Sequence, residues 1–353
     1  EYARTALKYG VEDYLLKPVK ADELTRLLKN IYEKKSEQIK MEEWKENINQ
    51  KMQKDTQRNR ERLIGTLVSG KERQIDFPDR NTVNQEFGCQ FEEGIYQVIL
   101  ITPNLPQVQE KLDTYKIMMK RALTIVEKYM KEFSREAVAA IKNEGIFLIV
   151  QCESYDSVLV KKYLTKIRKE IENQRDLFWG IRVSITAGKY RKSIQELPKA
   201  VREVVRWGKD RILPGKGEWI EVGEMESISQ EVEYQMPASL RKSFYEMGEY
   251  LDYGKYCREL EKLEKEICSS AKLSGQMVYE CFVETVEACL SGLKQNEKIN
   301  EEEIKQELIC RYHMCSSLAD VFSLLRDDIG KVFKNCIELK EKKEMRPITE
   351  AKN

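Results

Sequence analysis

Three stretches of this sequence bring together side chains capable of chemistry. In Asp13-Tyr14-Leu15-Leu16-Lys17-Pro18 an ammonium group ends a short apolar run and is followed by proline, which by itself describes a cation at a strand end. In Lys142-Asn143-Glu144-Gly145-Ile146-Phe147 a single carboxylate sits at a turn between two apolar runs. A divalent cation on a triphosphate is held by carboxylates together with the phosphates, and neither a Walker-type loop nor a second acidic cluster accompanies the single Glu144. In Cys310-Arg311-Tyr312-His313-Met314-Cys315 three soft or borderline ligands fall within six residues. Structural zinc sites use separated ligand pairs, so this spacing points to a core or surface helix. The expectation is a chain with no catalytic group, no metal and no cofactor.

Composition narrows the classes that remain. Sixty-one Lys plus Arg against sixty Asp plus Glu leave a net charge of +1, which excludes a wholly basic nucleic-acid or membrane binder. No apolar run approaches the ~20 residues of a membrane-spanning helix, so no membrane partner is expected. Nine scattered cysteines without a CxxC pair read as reduced thiols in a cytoplasmic protein. A chain of 353 residues predicts two or three domains at ~100–200 residues each.

The elements that position these residues follow from periodicity. Residues 1–32 read helix, strand, helix: Gly10 stops the first helix, Asp13 to Lys17 is the strand, and Leu24, Leu27, Leu28 and Ile31 share one face of the second helix. Such a strand needs neighbours, which are expected upstream of Glu1. Residues 33–70 read as a long helix; no Pro or Gly interrupts 19–64, and a helix over that stretch is about 70 Å long at ~1.5 Å per residue. Leu28, Ile31, Trp44, Ile48 and Met52 form a narrow apolar seam that suits a coiled coil with a second copy, although a solvated linker helix fits the same pattern. Residues 71–90 are expected to be a connection.

Residues 91–225 predict an α+β domain in the order β-α-β-β-α-β with a terminal helix, as an antiparallel sheet covered by helices. Its first strand, Ile95–Ile101, is expected to end at Pro103, and Ala137–Ile141 and Ile146–Gln151 form a hairpin. Residues 236–337 are helical by period throughout, four or five helices, and 338–353 read as a charged linker containing Pro347.

The first thirty residues resemble the last third of a response-regulator receiver domain, through Ala6-Leu7-Lys8-Tyr9-Gly10-Val11, Asp13 to Pro18, and Asp22-Glu23-Leu24. The resemblance implies that Lys17 contacts a phosphoryl group on an upstream aspartate, that Pro18 aims it, and that Tyr14 is the rotamer switch. Residues 91–225 resemble the degenerate cyclase-type module of certain bacterial transcription regulators, with Asn143-Glu144-Gly145-Ile146-Phe147 where a diguanylate cyclase carries Gly-Gly-Asp/Glu-Glu-Phe; only Phe147 persists. Ile348 to Asn353 resembles the opening of an AraC-type domain.

Together these resemblances imply a two-component response regulator with AraC-type output. A sensor histidine kinase would act through the full receiver, DNA would be bound by a domain beyond Asn353, and the chain would form a homodimer. The alternative is a module that senses a small molecule or nucleotide, for which Phe178 and Trp179, or Tyr245 and Tyr250, could line a pocket. An active diguanylate cyclase is the reading that the missing metal ligands disfavour.

Overall fold

The computed structural model describes residues 18–70, 77–104, 112–152, 157–174, 180–222, 234–270, 273–296 and 299–350. The chain divides into two compact units, residues 1–58 and 59–353. The described part of the first is helical: helix α1 (Ala21–Ser69) begins there, with Asp22 and Glu23 in its first turn, where negative charge complements the helix dipole.

The last turns of α1 belong to the second unit and bury Leu63, Ile64 and Leu67, a spacing of one, then three, that keeps all three on a single helix face. Residues 71–90, expected as a connection, contain helix α2 (Arg80–Phe87), whose N-cap Asp79 accepts from the Thr82 amide and whose end is closed by Gly88 in the left-handed region at φ 65°. Val83 and Phe87 carry it into the same core as Leu63.

The fold is α+β, with one five-stranded mixed sheet in the order β2-β3-β1-β4-β5. Strand β1 (Ile95–Asn104) lies between β3 (Gly145–Cys152) and β4 (Arg182–Ala187), antiparallel to both, and β2 (Glu136–Lys142) flanks β3. The hairpin expectation holds, but the sheet is not wholly antiparallel: β5 (Trp219–Glu221) pairs parallel with β4. Helix α5 (Leu197–Gly208) lies between them in sequence, and a crossover of that length returns the chain in the same direction. Strand β1 also runs through Pro103. Its pairing with β3 ends at Ile101, so beyond that point β1 has only β4 beside it and a residue without N–H is tolerated on the open side.

Alternation along the strands feeds two cores. Ile99, Ile101, Leu148, Val150 and Ile185 face helices α3 (Leu112–Phe133) and α4 (Ser157–Glu172), which add Met118, Val126, Leu164 and Ile167. Val98, Leu100, Phe147 and Ile149 face the opposite way, against α5, α2 and the end of α1.

Five helices follow: α6 (Ala238–Glu249), α7 (Tyr253–Cys268), α8 (Gly275–Leu293), α9 (Glu301–Tyr312) and α10 (Leu318–Glu350). They form a bundle around Phe244, Tyr256, Phe282, Tyr312 and Phe333. Helices α6 and α8 cross at glycines; a Cβ on Gly292 would lie 2.0 Å from the Tyr245 carbonyl oxygen, and one on Gly248 would lie 2.5 Å from that of Cys289. The division expected at 337/338 is not a structural break, because α10 runs from Leu318 to Glu350 through Pro347.

Candidate functional site

Lys17 and Tyr14 lie outside the described residues, as do Phe178 and Trp179. Pro18 is exposed, just ahead of α1. Of the proposed seam, Leu28, Trp44 and Met52 are 56%, 60% and 66% exposed, while Ile31 and Ile48 are half-buried. An apolar row of this kind is left facing water in a single copy. Tyr245 lines an open groove with Arg241, Lys242 and Lys305, whereas Tyr250 is exposed and outside that lining.

The 143–147 turn is a tight hairpin whose central residues are Asn143 and Glu144. The Thr102 hydroxyl donates to the Glu144 carbonyl at 2.9 Å, tying the turn to β1. Gly145 has φ 146°, and a Cβ there would lie 2.5 Å from the Ile101 carbonyl oxygen, so close backbone approach to β1 dictates glycine. Ile146 and Phe147 are fully buried on opposite faces of the sheet. Gly145 therefore does conformational work, and Glu144 is the one carboxylate of the turn.

The half-buried Arg60 of α1 reaches Glu136 of β2 at 3.5 Å. Burial raises the carboxyls of Glu136 and Glu127 above their usual range, and the Arg60 guanidinium opposes that rise in both. This pair adds an electrostatic anchor to the apolar one made by Leu63, Ile64 and Leu67.

The densest polar arrangement in the described residues is one that periodicity passes over. Lys209, Asp210 and Arg211 follow α5 in a short 3₁₀ turn and are only 8%, 5% and 3% exposed. Each engages the helical bundle. The Asp210 carboxylate accepts from the Gly275 amide at 2.6 Å, at the first residue of α8. Arg211 donates to the carbonyls of Tyr312 at 3.3 Å, His313 at 3.1 Å and Cys315 at 3.5 Å, at the end of α9, and to Asn104 Oδ1 of β1 at 3.1 Å. The acid thus sits at the positive pole of one helix and the base at the negative pole of another. Lys209 donates to Gln276 at 2.8 Å and lies 3.8 Å from the centroid of the Tyr279 ring.

Burial dominates the ionisation of this seam. It pushes the Lys209 ammonium down to about 8, opposed by Glu144 and Glu280, and raises the Asp210 carboxyl against the Gly275 hydrogen bond. It also holds the His313 imidazole well below its ordinary range, with Arg211 and Lys209 adding to the effect. Met314, next in the chain, is fully buried in the core between the sheet and α3, so the corner after α9 is inserted into the α+β layer.

The Cys310-to-Cys315 stretch forms this corner. Cys310 is half-buried, His313 and Cys315 are buried, and the Cys315 thiol lies 3.5 Å from the Arg211-bound corner's Arg311 carbonyl. Among the described residues no three His, Cys, Asp or Glu side chains converge so as to hold a metal ion. None of the nine cysteines is joined in a disulfide, and no described helix is long and apolar enough to cross a membrane.

Compared with known protein families, with curated proteins and with solved structures, the chain matches none. The reading of its function rests on its own residues and geometry.

A run of three charges usually marks a solvated face, which is why Lys209 to Arg211 escapes a sequence reading. The available signal is the flanking Gly208 and Ile212-Leu213-Pro214, which hem the charges between a tight helix end and an apolar segment.

Proposed function

We propose that this chain is the relay portion of a bacterial two-component response regulator with AraC-type output, and that it is not an enzyme. In this reading Lys17, Pro18 and Tyr14 belong to a receiver that a sensor histidine kinase phosphorylates, and a domain beyond Asn353 binds DNA. The α+β layer is then a degenerate cyclase-like domain, and the homodimer forms along Leu28, Ile31, Trp44, Ile48 and Met52. A phosphorylation signal would bias dimer geometry, and α1 would hand that bias to the rest of the chain.

The observation that carries the proposal is the two-part character of α1. Its earlier residues expose a row of apolar side chains, and its last turns bury Leu63, Ile64 and Leu67 among the strands. A helix that only linked domains would have no reason to be apolar at both. The hairpin supports a non-enzymatic role, since its lone Glu144 stands where two metal-holding carboxylates are required.

Sedimentation equilibrium of the chain from about 1 to 200 µM tests the relay, with dimer expected and with Trp44→Glu plus Met52→Glu expected to be monomeric. A strict monomer throughout removes the seam from the mechanism. Incubation with GTP and Mg²⁺ is expected to leave the nucleotide unchanged, and release of a cyclic dinucleotide would overturn the proposal.

A further inference from the structure

We propose that the Lys209–Arg211 turn and the Tyr312–Cys315 corner form an acid-released clamp between the α+β layer and the helical bundle, opened by protonation of His313. His313 is the chain's single histidine and is 3% exposed. This goes beyond the relay reading and does not depend on it.

The clamp holds two cations and one anion, each engaged by a neutral partner. Asp210 is committed to the Gly275 amide, and Arg211 distributes its donors over Asn104 and the carbonyls of Gly208, Tyr312, His313 and Cys315. What faces the imidazole is cationic or aromatic. From the 3₁₀ turn come Arg211 and Lys209; from α8 comes Tyr279, with ring centroids 6.1 Å apart; from its own corner comes Tyr312, at 5.6 Å. Of the nearby carboxylates, Glu144 and Glu280 act on Lys209, and Asp210 acts on Tyr312. Glu280 also accepts from Gln276 at 2.6 Å.

A proton on His313 would therefore place a third cation beside two buried ones, while the carboxylate of the turn, Asp210, is already committed to the Gly275 amide. Burial of an uncompensated charge is far more costly than its hydration. The protonated state is relieved by withdrawing the corner into water. Withdrawal takes Met314 out of the core between the sheet and α3 and frees the Tyr312, His313 and Cys315 carbonyls from Arg211. One protonation thus disconnects an apolar contact and a polar one at once, because two adjacent residues carry them.

The sign follows from linkage. In the open form the imidazole takes its ordinary pKa, and in the closed form burial holds it well below that. The closed form is favoured above the open-form pKa and loses ground as pH falls beneath it, by up to about tenfold in the open-to-closed ratio per pH unit below ~6.5. Between pH 7.5 and 5 the expected change is roughly thirtyfold.

Backbone hydrogen exchange of the full chain, corrected for intrinsic pH dependence, reads this opening at the corner's own Met314 and Cys315 amides, which donate to the Arg311 and Tyr312 carbonyls at 3.0 and 3.1 Å, with Leu148 and Ile149 of β3 as the internal reference. The expected result is that the Met314 and Cys315 amides lose protection roughly thirtyfold over that interval, the β3 amides do not, and His313→Gln is flat. Acid dependence that persists in His313→Gln, or β3 amides that lose protection together with those of the corner, overturns the clamp. In wild type the sole imidazole can be followed by NMR, so the test survives a variant that fails to fold. Protonation of His313 should coincide with exposure of the Met314 and Cys315 amides, and an imidazole that titrates near its ordinary value while those amides stay protected also overturns it.

Discussion

Replacing Gly275 by alanine probes the seam at its tightest point. A Cβ at this position would lie 2.1 Å from the Lys209 carbonyl carbon, 2.2 Å from its oxygen and 2.4 Å from the Asp210 nitrogen. All three are backbone atoms, so no rotamer change relieves the overlap, and the start of α8 must move by about 1 Å to reach ordinary van der Waals contact. That displacement lengthens the 2.6 Å bond from the Gly275 amide to Asp210. Overpacking contributes about 1–3 kcal/mol and loss of a hydrogen bond to a charged group about 1.5–3 kcal/mol. Better helix propensity offsets at most ~1 kcal/mol. The net expectation is a destabilisation of about 2–4 kcal/mol, measured from the urea midpoint at constant slope. Gly254→Ala is the control, because a Cβ on Gly254 meets nothing closer than 3.7 Å and the exchange should be neutral or slightly stabilising. A Gly275→Ala chain within about 0.5 kcal/mol of wild type would refute the close approach and, with it, the account of the seam.

Ile64→Ala should lower stability by about 2–5 kcal/mol in the same assay, since Ile64 is fully buried in the core against the sheet. Arg211→Met should cost about 3 kcal/mol or more, because it strands the buried carbonyls of Tyr312 and His313 along with Asn104, and urea melts at pH 7 read it. Lys209 makes the alkaline limb informative. Its folded pKa of about 8 lies below its ordinary value of 10.5, so the unfolded chain holds more protons between those two and stability rises with pH across the window. That rise should disappear in Lys209→Met.

Much of the fold was legible in residue pattern. The hairpin at 142–145 follows from two apolar runs flanking a turn, and the helices after Pro237 follow from apolar spacing of three and four, because both signals are local. Helix α2 was missed although its caps are present in sequence: Asp79 before Arg80 and Gly88 after Phe87. An eight-residue helix holds too few apolar positions to establish a period. The antiparallel expectation failed at β5 for a different reason. A three-residue strand says nothing about its direction, which is set by the α5 crossover that precedes it.

Sequence alone determined the long uninterrupted helix, the paired apolar runs and the absence of paired carboxylates at Glu144, since each depends on residues adjacent or regularly spaced in the chain. Only tertiary structure decided that Lys209, Asp210 and Arg211 are buried, that Asp210 and Arg211 meet opposite helix poles, and that His313 faces two cations. Those facts join residues from about 65 to more than 100 positions apart, such as Asp210 with Gly275 and Arg211 with His313. The energy of a charge depends on what folding brings beside it, and no local pattern encodes that neighbour.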